Sequence, residues 1–280
     1  MTEWRELYRR TRDEVGDPVA RWLCEEASGA DSAGGLDTVL DESATPRMAA
    51  HLDAMVARYC SGEPLAYVLG HWSFRHLDLA VDRRVLIPRP ETEVVAGVAI
   101  ELARGLDPPL TVADLGTGSG AIGLALADEL PLDGVTVWMT DASREALAVA
   151  GANLAGLGHR GRNVRLASGP WFDALPAGTT LDLAVANPPY IADDSPDVEA
   201  GVRDWEPPAA LFAGSDGLDA IRAIVGDAPR WIRSGGVLVL EIGADQGAAV
   251  ADLLSTSGFR AVEVRPDLTG RDRVAVARLP

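Results

Sequence analysis

The sequence predicts an α/β fold: a mostly parallel sheet covered by helices on both faces, preceded by a small N-terminal helical domain. Three observations carry that expectation. From Leu110 onward, apolar runs without polar alternation take turns with helix-like stretches, as strands buried on both faces of a parallel sheet require. The first of these runs ends in a glycine-rich turn, Gly116-Thr117-Gly118-Ser119-Gly120, that opens into a helix. Ahead of Ser61 the apolar residues recur instead at three- and four-residue spacing, the period of a helix with one buried face.

Taken in chain order, Trp4, Leu7 and Tyr8 mark a first helix and Val19, Trp22 and Leu23 a second. A Ser/Gly/Asp-rich connection follows around residues 28–35, and Leu52, Met55, Val56 and Tyr59 then share one face of a third helix. Ser61-Gly62-Glu63-Pro64 interrupts this region. Alternation of Trp72 and Phe74, then of Leu77, Leu79 and Val81, predicts a hairpin. Pro88 and Pro90 hold the residues before them out of the helical region, so Leu86 to Glu93 reads as a stiff extended linker with a helix beginning near Glu91. Strands are expected at 110–115, 135–140, 164–167, 181–186 and 237–242, with helices at 120–128, 144–154 and 218–232. Val262, Val264 and residues 274–277 predict two closing strands joined by a Gly/Asp-rich loop.

Composition narrows the function. Of 280 residues, 47% are hydrophobic and 24% charged, which describes a chain with a real core. The 25 basic residues are all arginines, against 42 acidic ones, for a net charge of −17. Such a surface repels phosphate backbones, so direct nucleic-acid binding is not expected. Cys24 and Cys60 form no CxxC pair and no metal-spaced cluster with His51, His71, His76 or His159. Both read as small buried apolar residues in a reducing compartment, and no metal is expected. The charged start and the lack of a long apolar run predict a cytoplasmic protein without membrane contact, expected as a monomer.

Two loops carry the chemistry. The glycines after Asp114-Leu115 allow close approach of a ligand to the backbone at a helix N-terminus. Asp141, at the end of the next strand, can accept both hydrogens of a ribose diol. Gly118, Gly120 and Gly123 also satisfy the dinucleotide fingerprint, so the loop by itself predicts a nucleoside without naming it. Asp114 ahead of the tight G-x-G-x-G, placed to orient the loop or to meet an ammonium group, favours S-adenosylmethionine. The second loop, Asn187-Pro188-Pro189-Tyr190, follows the fourth strand. Its prolines have fixed φ and no N–H, leaving free carbonyls on a stiff turn. The Asn187 side-chain oxygen and the Pro188 carbonyl can each accept one hydrogen of an NH2 group, with Tyr190 as a flat wall for a planar substrate. Two such acceptors aim the delocalised lone pair of an amide or arylamine at a methyl donor and favour the charge that develops on nitrogen. Hydride transfer has no use for that loop. A chain with no lysine also lacks the Tyr-x-x-x-Lys pattern of one large class of such enzymes.

At these residues the chain resembles the release-factor glutamine methyltransferases, the PrmC/HemK family, over nearly its whole length. Gly62-Glu63-Pro64-Leu65-Ala66-Tyr67, Gly70, Phe74, the segment Leu86 to Glu93, both loops above and Gly270-Arg271-Asp272-Arg273 carry the resemblance. It implies a class I S-adenosylmethionine-dependent methyltransferase domain, Rossmann-like with a mostly parallel seven-stranded sheet. The boundaries would be 1–70 for a helical substrate-recognition domain, 71–90 for hairpin and linker, and 91–280 for the methyltransferase domain. By position, Asp114, Gly116, Thr117, Gly118, Ser119, Gly120, Asp141, Trp171 and Asn187 would contact the cofactor, with Trp171 near the adenine. Asn187, Pro188, Pro189 and Tyr190 would hold the substrate, with Asn187, Pro188 and Tyr190 in the catalytic role. The implied partner is a class 1 peptide chain release factor, modified on the glutamine of its Gly-Gly-Gln loop. Arg89 and Glu206-Pro207-Pro208 are expected to shape the substrate entrance. Enzymes that methylate exocyclic amines of bases use a similar loop, but they need a basic groove that this composition does not offer.

Overall fold

A computed structural model describes residues 2–30, 34–196 and 200–280, which form two compact units. The first holds the chain up to His71 together with one short later helix. Its helices are α1 (Trp4–Val15), α2 (Asp17–Ser28), α3 (Pro46–Cys60) and α4 (Leu65–Leu69). Thr45 caps α3 by accepting from the Met48 amide at 3.3 Å. Trp4, Leu7, Leu23, Leu36, Leu52, Met55 and Val68 make one core. Arg58 ties α3 to α4, pairing with both Glu63 oxygens at 2.8 and 2.6 Å and donating to the Tyr67 and Val68 carbonyls.

Four expectations need correction or a limit here. Helix α4 follows the Ser61-to-Pro64 break instead of a simple stop, because Pro64 sits at its N-cap and Gly70, at φ 84°, closes it. Cys60 is exposed, not buried, because it is the last residue of α3, where the chain leaves the helix; Cys24 is buried as expected. Trp22 is 45% exposed although Leu23 beside it is fully buried. The expected Ser/Gly/Asp-rich connection falls in part on residues 31–33, outside the described residues.

The second unit starts at Trp72, within the hairpin of β1 (His71–Phe74) and β2 (Leu77–Ala80), and continues with α5 (Pro90–Arg104). Arg75 at the hairpin turn, φ 53°, grips Glu129 through two bonds of 2.5 and 2.9 Å and the Glu93 carbonyl at 3.1 Å. The remaining order is β3 (Leu110–Leu115), α6 (Ala121–Glu129), β4 (Val135–Asp141), α7 (Arg144–Gly156), β5 (Val164–Ser168), β6 (Leu181–Ala186), α8 (Ala200–Trp205, in the first unit), α9 (Asp219–Trp231), β7 (Ile232–Glu241), α10 (Gly247–Thr256), β8 (Arg260–Pro266) and β9 (Asp272–Arg278). The sheet runs β5-β4-β3-β6-β7-β9-β8, parallel as far as β7 and antiparallel through β9 and β8.

Alternate residues divide between two cores, as the period of a strand demands. Val112, Val137, Leu183, Val185, Val237 and Val239 meet Val95, Ile100 and Leu124 of α5 and α6 on one face. Ala113, Leu115, Ala184, Leu238 and Leu240 meet Ile221, Ile224, Val250 and Leu254 of α9 and α10 on the other. From β3 the chain first adds β4 and β5 on one side, then returns to place β6 on the other. The order therefore reverses between β3 and β6, the position where open α/β sheets bind ligands beyond their carboxyl ends. No helix among the described residues is long and apolar enough to cross a membrane.

Candidate active site

A cavity of about 370 Å³ opens at that reversal point, within the range of small-molecule sites. Pairing of Leu115 with Ala186 sets the glycine loop after β3 beside the loop after β6. Gly116, Thr117, Gly118, Ser119, Asp141, Trp171, Asn187 and Pro189 all line the cavity, with Pro88, Thr92 and Pro207 across from or beside them in the same wall.

The glycine loop is held from below by Asp114, 1% exposed. Its Oδ2 accepts from the Thr117 hydroxyl at 2.5 Å and from the Gly123 amide at 2.8 Å. Burial pushes this carboxyl up to about 7, against the pull of those two donors. Of the two roles open to Asp114, orienting the loop is therefore satisfied by contacts within the chain. Gly123 meets a second demand: a Cβ there would stand 2.4 Å from Met139 Cγ and 3.1 Å from Asp114 Oδ2. The third glycine of the apparent dinucleotide fingerprint thus serves the packing of α6 against β4 and the Asp114 brace.

Asp141 closes β4 and faces the cavity while accepting from the Gly118 amide at 2.9 Å and the Ser143 amide at 2.8 Å, one on each oxygen. Each carboxylate oxygen retains a further lone pair. Trp171 stands at φ 44° in a short 3-10 turn, its carbonyl taking the Thr140 hydroxyl at 3.2 Å. Its indole lies over Gly116, where a Cβ would come 2.9 Å from Cζ3. Gly116, at φ 74°, is required both by its dihedral and by this close approach. Behind the loop, the Asn153 side chain of α7 donates to the Ser119 carbonyl at 2.8 Å and exchanges two bonds with Ala80 of β2.

On the β6 side, Asn187 is half-buried, Pro188 buried, and Pro189 faces the cavity. Asn187 Nδ2 donates to Thr92 Oγ1 at 3.1 Å, and the Thr92 hydroxyl donates to Glu241 Oε2 at 2.7 Å. Tyr190 is not in the cavity lining, unlike the flat wall expected of it. Its hydroxyl donates to Glu241 Oε1 at 3.1 Å, and the Arg273 guanidinium lies over its ring, 5.8 Å from the centroid. Gln246 holds the Tyr190 carbonyl at 3.0 Å. Burial raises both the Tyr190 phenol and the Glu241 carboxyl, the latter to about 7. Arg89 pairs with the buried Glu206, which also takes the Ile87 amide at 3.1 Å, so these residues tie the linker to the segment containing Pro207.

Of the sequence-predicted residues, Asp114, Gly116, Thr117, Gly118, Ser119, Asp141, Trp171, Asn187 and Pro189 line one cavity, whereas Gly120, Pro188 and Tyr190 do not line it. Thr92 and Arg273 enter the sequence reading only within the segments that carry the resemblance, with no role, and Glu241 and Gln246 do not enter it. Glu241 carried a signal: it is the one charged residue in the apolar run 237–242, where a carboxylate needs a reason to be buried. Thr92 carried none beyond its place in the linker.

Residues 7–70 match the family model described as PrmC N-terminal domain, and residues 100–203 the Methyltransferase small domain. A release factor glutamine methyltransferase of Cereibacter sphaeroides is 43% identical over 263 residues, 93% of this chain and 90% of that protein. One of Xylella fastidiosa (strain Temecula1) is 46% identical over 229 residues, 81% and 80% of the two chains. Among solved structures, a methyltransferase from Pyrococcus furiosus shares the fold with a TM-score of 0.53 and 17% identity, over 79% of this chain and 95% of that one.

Proposed function

The chain belongs to the release factor glutamine methyltransferase family, and from that premise we propose that it methylates the N5 side-chain nitrogen of the glutamine in the Gly-Gly-Gln loop of class 1 peptide chain release factors. The observation that carries this reading is the Asn187 amide on the cavity wall, its nitrogen turned to Thr92 by an N–H donated at 3.1 Å. Its oxygen is the atom left to accept from a substrate.

The cavity residues fit S-adenosylmethionine. Gly116 leaves room for the indole of Trp171, which offers an aromatic face, and Asp141 faces the same cavity with unshared lone pairs. When bound, the cofactor supplies an electrophilic methyl group on a sulfonium. Asp141 would hold the ribose diol, the glycine loop the amino-acid part and Trp171 the adenine. Asn187 Oδ1 and the Pro188 carbonyl each accept one N–H of the substrate amide, which fixes the lone pair toward the methyl. Those acceptors also stabilise positive charge as it grows on nitrogen, so no strong base is needed before transfer. Pro189 stiffens the turn, and Tyr190 fixes the loop from behind through Glu241. Residues 1–70 serve as the recognition domain, 71–90 as hairpin and linker, and 91–280 as the catalytic domain.

Asn187→Ala tests the reading, because Asn187 acts on the reacting nitrogen. Turnover on an intact release factor should fall by about a hundredfold or more, with S-adenosylmethionine affinity within about threefold of wild type. Turnover near wild type would remove Asn187 from the reaction.

A further inference from the structure

The geometry points to Thr92 and Glu241 as positioning residues: together they fix the Asn187 amide so that its oxygen, and not its NH2, meets the substrate nitrogen. This rests on the reading above, in which Asn187 accepts from the substrate amide.

The two ends of a carboxamide have the same shape, so something must choose between them. Glu241 lies at the carboxyl end of β7, fully buried. When ionised it can only accept, and it does so from Thr92 Oγ1 at 2.7 Å and from the Tyr190 hydroxyl at 3.1 Å. The Thr92 hydroxyl has a single hydrogen. With that hydrogen spent on Glu241, Thr92 offers Asn187 only a lone pair, and the Asn187 NH2 takes it at 3.1 Å. A flipped Asn187 would set oxygen against oxygen at Thr92 and NH2 against the NH2 of the substrate. The three side chains come from α5, β7 and the loop after β6, so they relay orientation across the site without Thr92 or Glu241 taking part in the chemistry.

The groups facing Glu241 are Thr92, Tyr190, Arg273 and Glu91. Arg273 favours the ionised carboxylate; burial and Glu91 oppose it, and the group ends near 7. Once protonated, Glu241 can donate to Thr92, which frees the Thr92 hydrogen to point at Asn187 and favours the flipped amide, with Oδ1 instead of Nδ2 against Thr92. The acceptor geometry is then lost from the acid side of that value.

The test compares Thr92→Val, Thr92→Ser, Glu241→Gln and Asn187→Ala in the full chain, with a purified release factor as substrate. Thr92→Val should lower kcat by about ten- to hundredfold, as loss of an oriented partner in a buried network does. S-adenosylmethionine affinity should stay within about twofold, and Thr92→Ser should recover most of the turnover. Wild-type kcat should rise with pH through about 7, and Glu241→Gln should be slow without that rise. The proposal is overturned if Thr92→Val turns over within about twofold of wild type while Asn187→Ala is inactive. It is also overturned if cofactor affinity and Tm fall together with turnover and serine does not rescue, the pattern of a merely structural residue. If Asn187→Ala itself retains turnover, the underlying reading of Asn187 fails first.

Discussion

Replacing Asp141 with alanine separates a duty that the structure shows from one proposed for the same side chain. Its oxygens accept from Gly118 N–H at 2.9 Å and Ser143 N–H at 2.8 Å, pinning the glycine loop to the start of α7. Each bond to a charged acceptor contributes roughly 1.5–3 kcal/mol when buried. Both donors border an open cavity where water can replace the carboxylate, so a combined loss of about 2 kcal/mol is expected. The proposed second duty is to hold the ribose diol. Two charge-assisted hydrogen bonds to a ligand correspond to about 2–4 kcal/mol, or a Kd rise of roughly 30- to 1,000-fold. Thermal unfolding of the cofactor-free protein measures the first effect, and calorimetric titration with S-adenosylmethionine the second. At saturating cofactor, kcat should recover to within about threefold, because Asp141 touches no reacting atom. If Tm falls as expected while cofactor affinity stays unchanged, Asp141 is a loop brace only, and the assignment of the ribose to it is wrong.

Three further outcomes follow from the same geometry. Gly116→Ala puts a Cβ 2.9 Å from Trp171 Cζ3 at φ 74°, so it should lose about 1–2 kcal/mol of stability and weaken cofactor binding by displacing the indole, read by unfolding and titration. Leu238→Ala, fully buried beneath α9 and α10, should cost about 3 kcal/mol in denaturant unfolding and leave the kcat of folded enzyme within about twofold. Asp114 and Glu241 are held by burial near 7 in the folded chain, above the ordinary carboxylate values. The folded state therefore binds more protons than the unfolded one between about pH 4 and 7, and stability falls as pH rises through that window. Tm should be higher near pH 5.5 than near pH 7.5, and Asp114→Asn should flatten the slope; an unchanged slope in that variant would put the effect elsewhere.

The strands were legible because burial on both faces leaves a sequence few options: each apolar run at 110–115, 135–140 and 181–186 became a strand of the central sheet. Strand β7 starts at Ile232, ahead of the apolar run, since Arg233, Ser234 and Gly235 sit at its exposed end. Helix α10 went unread because its N-cap, Gln246, makes no side-chain cap and only Val250 and Leu254 mark its buried apolar face at helical spacing. The two loops that border the cavity were legible because glycine and proline report backbone shape directly. What holds those loops was not, because Thr92, Glu241 and Arg273 lie far apart in the chain and meet only through the sheet order. Tyr190 illustrates the gap: its motif membership was plain, yet its hydroxyl turns to Glu241, and it does not line the cavity.

The most direct measurement is methyl transfer from labelled S-adenosylmethionine to a purified, unmethylated class 1 release factor, beside a version whose Gly-Gly-Gln glutamine is alanine. The account predicts label on the first and none on the second. Equal label on both, or none on either by enzyme that binds the cofactor, would contradict the glutamine as the substrate of this site.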